Sequence, residues 1–218
     1  MSLCGKRLLL GSDGSALNHE ICRTLQALGA EVLVIDAKAE LNDILAGIDN
    51  VEYDGFFWGC VHSDFRPLKM VSRDNMMQIM DENYFRFIDL LRDLMKHKRI
   101  GKNASIVAMS SISSIRAMKA KMVFSAAKAA LDASMRSLAL ELAPKGIRIN
   151  TIQKGAVDVD FEKEHIQTVS AINDGMASRQ VLGVTAAVEV ANLVAFLLSD
   201  ATKSLTGTSI VIDGGYTL

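Results

Sequence analysis

The chain has 218 residues, half of them apolar and 22% charged, with a formal net charge of −1. That length suits one domain, 1–218, with a substantial core, and the composition excludes a disordered or fibrous chain. A charge so near zero gives no electrostatic reason to expect nucleic acid or an anionic membrane as partner.

Cys4, Cys22 and Cys60 show no paired spacing, so neither a disulfide framework nor a zinc site is indicated. Cys60 lies in an apolar run and reads as a small core residue. No apolar run reaches the length of a membrane span and no signal peptide is evident, which makes a soluble cytoplasmic protein the expectation.

Arg7 to Leu10 is a short apolar run that stops at Gly11, Ser12, Asp13 and Gly14. Leu17, Ile21, Leu25 and Leu28 then recur at helical spacing, Gly29 ends the helix, and Glu31 to Asp36 reads as a second buried strand. This is a βαβ start whose turn can place backbone N–H groups and a helix N-terminus against a phosphate. The acid closing the second strand can accept from a ribose hydroxyl. An ordinary strand-to-helix turn explains the same residues equally well, because the G-x-G-x-x-G spacing is absent.

Glu40 to Ile48 reads as one short helix, Gly55 to Val61 as a strand, and Asn75 to Lys96 as a long amphipathic helix with Asn83 in its middle. Ile106 to Met109 is a buried strand ending in hydroxyls. After a loop comes an apolar helix that carries Lys128 near its start, and then a strand from Ile147 to Ile152. Residues 155–185 show little periodicity and suit a lid or substrate loop. His165 within it reads as a solvated loop histidine. Ala187 to Leu198 is a helix and Ser209 to Asp213 a last strand, closed by Gly214 and Gly215. The basic clusters Lys96 to Arg99 and Arg116 to Lys121 read as a solvated helix end and a solvated loop. Strands alternating with helices imply an α/β fold, a doubly wound and mainly parallel sheet with helices on both faces.

Over essentially the whole chain these residues resemble the short-chain dehydrogenase/reductase family. Ser105 to Ser111 resembles its serine strand, Lys128 to Asn150 its active-site helix and the strand after it, and Leu205 to Gly215 its C-terminal signature. The resemblance implies a Rossmann-like fold and an NAD(P)-dependent oxidoreductase acting on a small alcohol, ketone or sugar-like substrate. It gives Ser111 the role of orienting the substrate oxygen. Lys128 holds the ribose and lowers the pKa of a catalytic phenol, and Asn83 anchors a water relay. The phenol's place is taken by Phe124, which keeps the ring and loses the proton. General acid–base help is typically worth about 10²–10⁴ in rate.

By the same resemblance Gly11, Ser12, Gly14, Leu17, Asp36, Cys60, Lys128, Gly155 and Val157 would bind NAD or NADP. Asp36 would favour NAD by repelling a 2′-phosphate. Several positions depart from the family's pattern. Ser12, Ala16 and Asn18 stand where the turn has glycines. Trp58 to Val61 replaces the Asn-Asn-Ala-Gly segment, Lys154 with Gly155 replaces Pro-Gly, and Val159 occupies the nearby Thr place. The stretch from Asp36 to Phe56 is also too short for the usual helix, third strand and helix, so the third strand is expected to be missing or fused. Asp36 could then end either the second strand or a fused remnant.

Two functional readings follow. One is an oxidoreductase with an altered site. The other is a binding or partner subunit of the same fold that has lost hydride transfer. In similar proteins the helix around Asn83 and the helix of Phe124 form a dimer face, and Ala126, Ala127, Ala130 and Ala133 would allow close packing there. A homodimer or homotetramer is expected.

Overall fold

A computed structural model of the chain describes residues 2–159 and 179–218. Its strands are β1 (Arg7–Ser12), β2 (Glu31–Asp36), β3 (Tyr53–Trp58), β4 (Ile100–Ser111), β5 (Arg148–Lys154), β6 (Val157–Asp158), β7 (Thr185–Ala186) and β8 (Ser209–Ile212). The helices are α1 (Ala16–Ala27), α2 (Leu41–Ala46), α3 (Arg73–Met80), α4 (Arg86–Lys96), α5 (Met122–Leu142) and α6 (Ala187–Leu198). Six strands form one parallel sheet in the order β2-β1-β3-β4-β5-β8. β6 and β7 make a separate parallel pair.

β1, β3 and β4 are apolar on both faces, as the covered centre of a parallel sheet requires, whereas β2, expected to be buried, and β8 lie at its margins and are only partly buried. Leu9, Phe56, Trp58, Ile106, Ala108 and Ile149 face one core with Ile44 of α2, Phe87 of α4 and Leu131 of α5. Their sequence neighbours Leu8, Leu10, Phe57, Val107 and Ile152 face the other, with Ile21 of α1 and Val194 of α6. The alternation of period two along each strand divides the interior in this way. The fold is therefore the doubly wound α/β sheet that the pattern of elements implies.

Only the six-residue α2 and its flanking loops separate β2 from β3. β2 pairs with β1 alone and borders the sheet among the described residues, so the family's third strand has no counterpart in it. Asp36 lies opposite Ser12 in the register of that pair, which makes it the end of the second strand rather than a fused remnant.

Several boundaries differ from expectation. α2 stops at Gly47, whose N–H donates back to the Asp43 and Ile44 carbonyls, and is shorter than Glu40 to Ile48. The long helix comprises α3, a π-helical turn over Asp81–Phe85, and α4. In that turn the Asn83 side chain donates to the Ile79 and His62 carbonyls at 2.9 and 2.8 Å. Such widened turns arise where a side chain enters the helical ladder, which periodicity alone does not show. Of the proposed dimer-face alanines, Ala127 is fully buried in its own core, because the inward stripe of α5 that holds Lys128 and Leu131 includes it.

Phe56, Trp58 and Phe87 form an aromatic wedge under the C-terminal ends of β1 and β3, with Phe56 stacked on Phe87 at 5.8 Å between ring centroids. Trp58 is the only tryptophan of the chain, so its emission reports this wedge. Phe87→Ala is expected to destabilise the protein by about 3–5 kcal/mol in urea unfolding followed by that emission. A loss below about 1 kcal/mol would show that the wedge does not anchor α4.

Candidate functional site

The chain winds from β1 to β2 on one side and returns to β3 on the other side of β1. The loops leaving β1 and β3 therefore part at their C-terminal ends, and such switch points open a crevice. Here it is a cleft of about 590 Å³, lined by the turn Asp13 to Ala16, by Ala37 and Lys38 after β2, by Cys60 to His62 after β3, and by Glu82 and Arg86. The Arg86 guanidinium fixes the outer wall, pairing with Asp81 at 2.9 Å and donating to the Lys38 carbonyl, also at 2.9 Å.

The turn after β1 is tied within itself. Gly14, at φ +80°, faces open space, and its N–H donates to the Ser12 hydroxyl at 3.0 Å. Ser15 caps α1, its oxygen accepting from the Asn18 N–H. The Asp13 carboxylate accepts from the Ser15 N–H at 2.9 Å and from the Asn18 side-chain amide at 2.7 Å, and that amide also donates to the Gly59 carbonyl. Gly59 must be glycine, since a Cβ there would strike the Asn18 side chain. Gly11 lies so close to the Trp58 indole that any side chain would collide with it.

On the far side of the cleft, Lys128 of α5 is fully buried. Its Nζ donates to the Met109 carbonyl at 3.0 Å and approaches the Cys60 carbonyl at 3.5 Å. Burial pulls its pKa down to about 8, against the opposing pull of Cys60 and Asp132. Ser111 closes β4, its hydroxyl accepting from the Ser113 N–H at 3.1 Å. Phe124 is buried, with its ring centroid 5.8 Å from the Lys128 ammonium and 5.2 Å from that of Lys121. Lys121 also lies 4.3 Å over the Phe65 ring.

The reading of Arg116 to Lys121 as a solvated loop is thus corrected at its end. Lys121 is 5% exposed. It sits one turn before Phe124 and on the same stripe, a spacing of three and then four residues to Lys128 that the sequence displays.

The remaining sequence-predicted residues divide. Gly14 and Cys60 line the cleft, whereas Leu17 is buried in the core beside Ile21. Asp36 is exposed and accepts from the Lys38 N–H at 2.9 Å, so its neighbours rather than its own side chain line the cleft. Gly155 donates to the Ile212 carbonyl, and a Cβ on it would come within 2.9 Å of Asp213. Val157 is buried opposite Thr185. Burial pushes the Cys60 thiol up to about 11, so it is a packed side chain and no thiolate nucleophile. Asn83 is buried and holds the His62 main chain, accepting its N–H and donating to its carbonyl. Most of the expected loop 155–185, with His165, lies outside the described residues.

Sequence reasoning gave no role to Asp13 and Lys121, and met Asn18 and Lys154 only as departures. Lys154 is buried, pairs in register with Ser111 and adds repulsion to Lys128. The spacing of Asp13 to Ser15, an acid two residues before the amide it accepts from, was the available signal for the turn.

The dinucleotide that the resemblance implies is compatible with this geometry. The cleft has the volume for a nucleotide, Gly14 leaves its floor open, and the Lys128 ammonium lies behind its wall, against the Cys60 carbonyl. One carboxylate, Asp13, lies against the turn.

A buried lysine with a lowered pKa leaves a signature in stability. Between about pH 8 and the ordinary value of 10.5 the unfolded chain holds a proton that folded Lys128 has released, so stability rises with pH across that window. The stability of the native sequence minus that of Lys128→Met is expected to stay flat below pH 8 and to gain about 3 kcal/mol by pH 10.5. Urea unfolding at a series of pH values measures it, and a flat difference throughout would refute the buried-ammonium assignment.

Residues 58–217 match the family model described as enoyl-(acyl carrier protein) reductase. The chain is 31% identical over 181 residues to dehydrogenase/reductase SDR family member 6 of Danio rerio, covering 81% of this chain and 69% of that one. It is 32% identical over 188 residues to the enoyl-acyl-carrier-protein reductase (NADH) FabI of Neisseria meningitidis, covering 82% of this chain and 71% of that one. Among solved structures it superposes on a short chain dehydrogenase family protein from Francisella tularensis with a TM-score of 0.84, at 26% identity, covering 97% and 98% of the two chains. With a family model matched over most of its length and relatives of this closeness, the chain belongs to the short-chain dehydrogenase/reductase family.

Proposed function

We propose that the protein is an NAD(P)-dependent oxidoreductase with an altered active site, acting on a small alcohol, ketone or sugar-like substrate. The observation that carries this reading is the fully buried Lys128 ammonium, placed beside Phe124 and between the ends of β3 and β4, where burial is costly without a use. The enoyl-acyl-carrier-protein reductase relative is designated by NADH, which supports a nicotinamide dinucleotide as the class of cofactor. When bound, that group would supply or accept the hydride.

The chain's own residues do the rest. Lys128 places positive charge where negative charge develops on the substrate oxygen and holds the ribose. The Ser111 hydroxyl orients that oxygen, and Ser111, Lys128 or a water held at Asn83 handles the proton. Asn83 is a positioning residue, fixing the loop at His62 through both ends of its amide. Phe124 stands where the family carries a tyrosine, thirteen residues after Ser111 and four before Lys128, and offers no proton. Asp36 favours NAD over NADP through its charge. A second copy of the chain covers the groove between α4 and α5 that Tyr84, Ile88, Met95 and Leu138 line, giving a homodimer or homotetramer.

A fluorescence titration with NADH and NADPH tests the cofactor. NADH is expected to bind in the sub-millimolar range and more tightly than NADPH. Binding of neither at millimolar concentration would defeat the reading.

The absent phenol and the carboxylate in the turn favour a second reading, a partner subunit without hydride transfer. Phe124→Tyr separates the two. Restoring the phenol is expected to raise turnover of a small ketone with NADH by about 10²–10⁴-fold. If the substituted protein binds NADH and stays inert against a broad carbonyl panel, the partner-subunit reading prevails.

A further inference from the structure

We infer that the Asp13 carboxylate occupies the place in which the turn after β1 would hold a phosphate, so that a phosphate-bearing ligand enters this cleft only by displacing it. The inference rests on the dinucleotide reading for one of its two probes and stands apart from it for the other.

A strand-to-helix turn binds phosphate with free amide N–H groups and the positive end of the helix dipole. Here the Ser15 N–H is engaged by an anion of the chain itself, and the Gly14 and Asn18 N–H groups by the Ser12 and Ser15 hydroxyls. Asp13 accepts from the N–H of Ser15, the cap of α1, at 2.9 Å, and from the side chain of Asn18 in the first turn at 2.7 Å. The Val61 N–H, in the loop after β3, lies 3.5 Å from its second oxygen. The carboxylate thus reaches across the switch-point crevice from the loop after β1 toward the loop after β3.

Asn18 shows how firmly this arrangement is imposed. It is 1% exposed, and both hydrogen bonds of its amide, to Asp13 and to the Gly59 carbonyl, are made by the nitrogen. Its oxygen is buried without a hydrogen-bond partner. Turning the amide over would give that oxygen neighbours, but would set it against a carboxylate and a carbonyl. The orphaned acceptor is therefore the consequence of holding Asp13 in place. The same side chain closes the space above Gly59, which has no room for a Cβ.

A pyrophosphate brought to this turn meets a like charge at hydrogen-bonding range and finds the Ser15 N–H and the Asn18 amide taken. Removing the charge while keeping the shape is expected to release both constraints. The test compares the native protein with Asp13→Asn, which is isosteric, and Asp13→Ala, which leaves the donors empty. Binding is measured by calorimetry with inorganic pyrophosphate and with NADH, after thermal unfolding has shown that each variant is folded. Both variants are expected to bind pyrophosphate at least tenfold more tightly than the native protein, and NADH by a similar factor.

Unchanged or weaker pyrophosphate binding in the folded variants overturns the inference. Tighter pyrophosphate binding with no NADH binding in any of the three proteins upholds it and defeats the dinucleotide reading. Tight NADH binding by the native protein with no gain on substitution does the reverse.

Discussion

One ammonium group, enclosed without access to water, sets the terms for this edge of the sheet. Lys128 can stay charged only because the Met109 carbonyl, at 3.0 Å, and the Cys60 carbonyl, at 3.5 Å, point at it from the chain near the ends of β4 and β3. Those carbonyls are in reach because β3 and β4 finish side by side, with Trp58 opposite Ala108. The close approach of the strands depends in turn on small residues. A Cβ on Gly55 would stand 3.1 Å from the Ser105 carbonyl and 2.8 Å from Leu8, and one on Gly11 would enter the Trp58 ring. The aromatic wedge, the strand register and the buried charge are therefore one problem in packing, solved together.

The scaffold was legible in the sequence because it is written in periodicity. Leu17, Ile21 and Leu25 at helical spacing, and the apolar runs of β1 and β4, each state a face or a buried strand that the sheet then confirms, whereas β2, expected to be buried, is a partly exposed edge. The missing strand was legible by length alone, since too few residues lie between Asp36 and Phe56 to build it. Features fixed by one side chain reaching a distant backbone left no such trace. Asn83 lies in a widened π-helical turn, bonds to Ile79 and positions a loop 21 residues earlier, and nothing in the heptad-like spacing of Met76, Ile79 and Met80 marks it. Lys121 looked like part of a basic run, yet its helix stripe folds it between two phenylalanine rings. Asp36 satisfied a rule about strand ends and then turned its carboxylate back to its own chain at Lys38.

The scaffold also holds buried polar groups firmly. Thr151 and Gln153 of β5 donate to the buried Asp132 carboxylate of α5 at 2.8 and 2.7 Å. On the proposed reading, the departures from the family lie elsewhere, at Asp13 in the turn after β1, at Lys154 at the end of β5 and at Phe124 in the place of a phenol, and each acts on a charge or a proton.

The shortened connection after β2 also alters the border of the molecule. A strand that would be interior with a neighbour beyond it becomes an edge, with a row of N–H and C=O groups that another extended chain could pair with. Val34, 48% exposed on this strand, adds an apolar foothold to that row. The sequence answers with a six-residue strand that begins at Glu31 and ends at Asp36, both exposed. A short edge with a carboxylate at each end is a poor template for intermolecular β-pairing. The short connection after β2 thus leaves a margin guarded against aggregation by the same acid that the family resemblance assigns to a ribose.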